Sequence, residues 1–131
     1  MARGYGEAAV AAVNLVKLER FAPPEAWRRA VARTFESVSS QEKGCPQGAF
    51  LGLCEEGLVV GVPGAPSGTY TRSVKNKQYA VAAVNILRRR ASPVLPTPVT
   101  LWLEVQGGEW KQPNGQMDVV LGLWNAGHIR R

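Results

Sequence analysis

The octapeptide AVAAVNLV at Ala9–Val16 returns almost unchanged as AVAAVNIL at Ala80–Leu87, 71 positions later. A second echo, LGLCEEGLV at Leu51–Val59 against LGLWNAGHI at Leu121–Ile129, lies at an offset of 70. Two separate matches whose offsets differ by one residue indicate two similar halves in tandem, about 5–62 and 73–129. A half of about 60 to 70 residues holds only a marginal core by itself. The two are therefore expected to pack as a single domain over residues 1–131.

Each half reads as three helices, the last carrying L-G-L-x-x-x-G and then an apolar residue. Gly6 to about Arg20 is Ala-rich, with Val10, Val13, Val16 or Lys17, and Phe21 near one stripe. Pro23 and Pro24 stop it, and Pro24 suits the first turn of a second helix in which Trp27, Val31, Phe35 and Val38 share a face. A polar connector, Ser39–Gly44, leads to a third helix with Ala49, Phe50, Leu53 and Cys54 at helical spacing, closed by Gly57. Val59–Val62, the turn-prone Pro63–Gly68 and Thr69–Thr71 suit a short β-hairpin or an exposed loop.

In the second half Ser73 or Asn76 can cap a helix running to about Arg90, with Val81, Val84 and Leu87 inside. Ser92–Pro98 is too proline-dense for helix. Val99–Val105 alternates like a strand, but its place in the repeat matches the Trp27 helix, so helix is expected, with Trp102 as the counterpart of Trp27. Asn114 can cap a last helix whose apolar face is Met117, Val120, Leu121 and Trp124 and which Gly127 ends. The expected fold is all-α, with room for one short β-hairpin, built of two three-helix halves packed face to face. Gly52 and Gly122 each cost about 1 kcal/mol against alanine inside a helix, and their recurrence points to close helix contact.

Charge separates the halves. Residues 1–70 carry 7 basic and 7 acidic side chains, residues 71–131 carry 9 and 3, and no carboxylate lies between Glu56 and Glu104. All of the +6 net charge thus resides in the second half. Such a field suits a polyanion, either nucleic acid or a phosphorylated ligand.

Arg3 before an apolar stretch resembles a secretion signal, yet the same octapeptide recurs in mid-chain and Glu7, Asn14 and Lys17 interrupt the run. No segment approaches the roughly 18 apolar residues of a membrane span. Two cysteines and one histidine favour neither a disulfide framework nor a four-ligand zinc site. The expected place is the cytoplasm, with no membrane contact, no metal and no cofactor.

The strings KGCPQGAFLGLCEEGLV (Lys43–Val59), KNKQYAVAAVNIL (Lys75–Leu87) and NGQMDVVLGLW (Asn114–Trp124) resemble a bacterial family known only as a domain of unknown function. The similarity runs over most of the chain. It implies a small bacterial protein, but no activity and no site residue.

The segment from Tyr70 to Tyr79 carries the clearest chemistry. Tyr70, Arg72, Lys75 and Lys77 gather at a helix start, where free N–H groups and the positive end of the dipole already favour an anion. Arg88, Arg89 and Arg90 lie at the other end of that helix, where cations are welcome in any case. These seven residues form the expected polyanion-binding set. Asn14 and Asn85 suit a ligand contact or, more simply, a structural hydrogen bond.

Three other readings compete. A winged-helix order fits the first half, but its third helix lacks Lys and Arg and carries Glu55 and Glu56, which repel phosphate. A Cys45 nucleophile at a helix start, with His128 as partner, lacks any surrounding signature, so no catalytic residue is expected. A protein-interaction or self-assembling domain with an incidental basic surface is the alternative to polyanion binding.

Overall fold

Alanine and proline decide where the helices run. In a computed structural model that describes residues 4–131, the Ala-rich N-terminal segment forms α1 (Tyr5–Glu19), ended by Arg20 in the left-handed region at φ 60°. Proline opens α2 (Pro23–Thr34), and a single turn, α3 (Val38–Gln41), is capped by the Ser37 hydroxyl accepting from Ser40 N–H. Then come α4 (Gly44–Glu55), α5 (Val74–Arg89), α6 (Pro98–Val105) and α7 (Gln116–Asn125). The described residues are all-α, with one isolated antiparallel bridge between Val59 and Ile129.

The halves interlock rather than stack as two closed bundles. The first helix of each half packs on the last helix of the other, α1 on α7 and α5 on α4, while α4 and α7 meet centrally. The recurrent glycines stand at these crossings. A Cβ added at Gly122 would lie 2.6 Å from Gly6 Cα, and one added at Gly52 would lie 2.6 Å from Lys77 Cβ. Gly6 and Lys77 are themselves equivalent at the offset of 71, so one crossing is built twice. The expectation of face-to-face packing is corrected to this exchange of first helices.

Both L-G-L helices end alike. Gly57 (φ 73°) and Gly127 (φ 78°) take the left-handed conformation. Leu58 N–H donates to Leu53 O and Gly57 N–H to Cys54 O, just as His128 N–H donates to Leu123 O and Gly127 N–H to Trp124 O. The chains leaving these caps then pair with each other, Val60 N–H to His128 O at 2.7 Å and Arg130 N–H to Leu58 O at 2.9 Å. Val59 is thus committed to the far half, and Pro63–Thr71 forms a loop instead of a hairpin strand.

Several local expectations shift. In α1 the buried face is Ala8, Ala9, Ala12, Val13 and Leu15, with Val10 and Val16 only half-buried, because alanine is what lets α7 and α2 come close. Phe35 is extended and ends α2, leaving Val38 exposed. Gly115, not Asn114, stands at the start of α7, and the Gln116 side chain accepts from Asn114 N–H. Val99–Val105 is helical, started by Pro98 and the Thr97 cap. Its strand-like alternation misleads because Val99 and Leu103 are exposed while Leu101 and Trp102 are buried. Trp27 stacks on Phe50 at 5.1 Å, and Trp102 meets Tyr79 edge-on at 4.9 Å.

Candidate functional site

The last turn of α4 turns a carboxylate inward. The Glu55 side chain is 0 % exposed, and its oxygens accept from Tyr70 N–H at 2.7 Å, Thr71 N–H at 2.9 Å and Lys77 Nζ at 2.9 Å. Burial alone would raise its pKa, but Lys77 and the N–H groups of Thr71, Tyr70 and Gly68 outweigh that and hold it at about 2. Glu55 is therefore the clamp that fixes the loop before α5. Lys77 crosses the small surface of Gly52 to reach it and also meets Glu56 at 3.0 Å.

Beside this clamp lies a groove of about 710 Å³, walled by the start of α5, the loop at Ser67–Ser73 and the end of α4. Arg72, Lys77, Gln78, Val81 and Asn85 are among its lining. The equivalent positions in the other half line a second groove of about 480 Å³, with Gly6, Glu7, Val10, Asn14 and Asn125 in place of Lys77, Gln78, Val81, Asn85 and Glu55.

The seven expected residues separate into two groups. Tyr70 is half-buried and its hydroxyl donates to Pro63 O at 3.3 Å. Lys77 is spent on Glu55 and Glu56, Arg88 donates to Arg130 O, and Arg90 pairs with Glu104 at 3.1 Å. Arg72, Lys75 and Arg89 are exposed and make no ion pair among the described residues. Lys75 and Arg89 share one stripe of α5 with Gln78, Ala82 and Asn85, spaced for a single helix face. Sequence reasoning missed Glu55, since a glutamate at a helix end ordinarily faces water. The absence of any other carboxylate from Gly57 to Leu103, beside three cations at a helix start, was the available signal.

The competing sites are less well supplied. α4 is buried from Gly48 to Glu55 and has no free face to lay in a DNA groove. Burial, with Glu55 beside it, pushes the Cys54 thiol far up, so it remains a protonated apolar filler. Cys45 is half-buried in the first turn of α4. Among the described residues no group of three or more His, Cys, Asp or Glu is placed to hold a metal ion, and no helix is long and apolar enough to cross a membrane.

The interlocked all-α fold and its paired grooves define a small helical domain. The chain belongs to a family of unknown function, DUF6979, which it matches over residues 1–130. No curated protein and no solved structure matches it.

Proposed function

We propose that this protein is a small, non-enzymatic, cytoplasmic binding domain that presents the outer face of α5 to a polyanion, with nucleic acid as the partner. The carrying observation is the contrast between equivalent helices. α1 and α5 bury the same alanines and valine, Ala9, Ala12 and Val13 against Ala80, Ala83 and Val84. Their outer faces differ: Gly4, Glu7, Ala11, Asn14 and Leu18 on one, Lys75, Gln78, Ala82, Asn85 and Arg89 on the other. Core packing cannot account for a basic stripe that one helix has and its twin lacks.

In this reading Lys75 and Arg89, with Arg72 at the helix start, contact phosphates, and Gln78 and Asn85 between them supply amides able to read base edges. Lys77 serves from behind by holding the loop that carries Arg72. Binding to a short DNA or RNA duplex is expected to weaken steeply with salt. Lys75→Ala or Arg89→Ala should each flatten the slope by about one unit. Affinity indifferent to salt and to both substitutions would overturn the reading. That result would favour a protein-interaction or self-assembling domain, for which the outer face of α1, with Val10, Ala11 and the highly exposed Leu18, provides apolar surface.

A further inference from the structure

Among the described residues one residue other than glycine takes a positive φ: Arg20, at 60°, where α1 ends. A left-handed residue stops a helix well, but glycine does so without the clash that an L side chain brings. Both L-G-L helices end on glycine in this conformation, Gly57 and Gly127. The fold requires the conformation at position 20, not the guanidinium, so the strain points to a use for the side chain.

Arg20 lines a cleft of about 480 Å³ at the turn between α1 and α2. Lys17 joins it from the last turn of α1, Phe21 and Pro23 from the turn and the start of α2, and Pro63 and Tyr70 from the loop joining the halves. The Lys17 stem crosses Gly61 of that loop, where an added Cβ would lie 3.0 Å from Lys17 Cε. The Tyr70 phenol is fixed by its bond to Pro63 O, and the Arg29 guanidinium stands over the Phe21 ring at 4.1 Å. Among the described residues no carboxylate lines the cleft. Glu19 and Glu25, the nearest in sequence, lie outside its wall, and Glu25 already carries Arg28 and Arg29. Lys17 and Arg20 are exposed and make no ion pair among the described residues. The other half has no such pair: at the offset of 71, Lys17 becomes Arg88, which donates to Arg130 O at 3.2 Å, and Arg20 becomes Ala91.

We infer that this cleft binds a small anion with a flat apolar body, an aromatic phosphate monoester being the type. Lys17 and Arg20 donate to the phosphate oxygens in charge-assisted bonds, and the ring lies against Phe21, Tyr70 and the prolines. Two free cations match a dianion, and the volume is that of a small-molecule site. Tyr70, which the sequence groups with the α5 cations, serves this cleft instead. The inference is independent of the proposal for α5.

Phenyl phosphate, followed in ¹⁵N–¹H spectra of the full chain at physiological ionic strength, is expected to shift the amides of Phe21 and Gly61 saturably. Inorganic phosphate, which lacks the ring, and phenol, which lacks the charge, should each bind roughly tenfold more weakly. Arg20→Gly separates the site from the fold. It relieves the strain, so the melting temperature should hold or rise, while phenyl phosphate binding weakens roughly tenfold. Lys17→Met, which keeps most of the stem over Gly61, should weaken binding by about as much. The double variant Lys75→Ala, Arg89→Ala should leave the affinity as it is, so failure of the α5 proposal and failure of this one are told apart. An unchanged affinity in Arg20→Gly overturns the inference, as does equal binding of inorganic phosphate. So does a response as large at Gln78 and Asn85 as at Gly61, which would be counterion attraction to a basic chain. A response obtained only with an oligonucleotide would assign the cleft to the polyanion and overturn it too.

Discussion

Glu55 is where a single proton matters most. Its carboxyl titrates at about 2 in the folded chain against an ordinary 4.5, so the unfolded chain takes up the proton first. Its contribution to stability is therefore complete above about pH 4.5 and is lost as pH falls toward 2. Denaturant titrations across that range should show the loss, and Glu55→Gln should flatten this part of the profile. At neutral pH the same substitution leaves the Lys77 ammonium, 13 % exposed, against Glu56 alone, and should cost about 3 kcal/mol. The tryptophans provide a second test. Trp27→Ala should destabilise by roughly 3 to 5 kcal/mol. Trp110, 62 % exposed, should be quenched freely by acrylamide in a single-Trp variant in which Trp27 is not; equal quenching would contradict the packing.

At the scale of elements, the paired glycine crossings invite substitution. Gly122→Ala gains about 1 kcal/mol of helix propensity but drives a methyl against the Gly6 backbone, which cannot swing aside as a side chain would. The net should be a loss of about 1 to 3 kcal/mol, read from denaturant midpoints, and a gain would show that α1 and α7 are not in close contact. Close contact at these positions was legible in the sequence, because a glycine that weakens its helix at the same place in both halves is retained where two backbones must meet. The order of the six longer helices was legible too, from the repeat and from Pro23, Pro24 and Pro98, whereas the single turn α3 falls where a polar connector was expected. Which face of α1 is buried was not: periodicity weights valine over alanine, whereas a tight crossing reverses that order. The candidate site was half legible. Charge counting found the region but could not distinguish the exposed Lys75 from Lys77 two residues on, because the partner that neutralises Lys77 comes from α4, 22 residues earlier.

For the whole molecule, the exchange of first helices makes the two halves depend on each other. α1 is held by α7 and α5 by α4, with the Val59–Ile129 bridge between the exits. Thermal unfolding followed by far-UV circular dichroism and by tryptophan fluorescence should therefore give one coincident transition, and two separated transitions would refute the interlock. The same arrangement bears on what happens when the covalent link is cut. Pro66, Ser67 and Gly68 are exposed in the loop joining the halves, and a protease that nicked there would release two fragments, one whose α1 keeps α2 but loses α7 and one whose α5 loses α4. Such fragments are complementary parts. Mixed in equal amounts they should recover helicity that neither has alone, and at high concentration intact chains have the same opportunity to lend their first helices to one another.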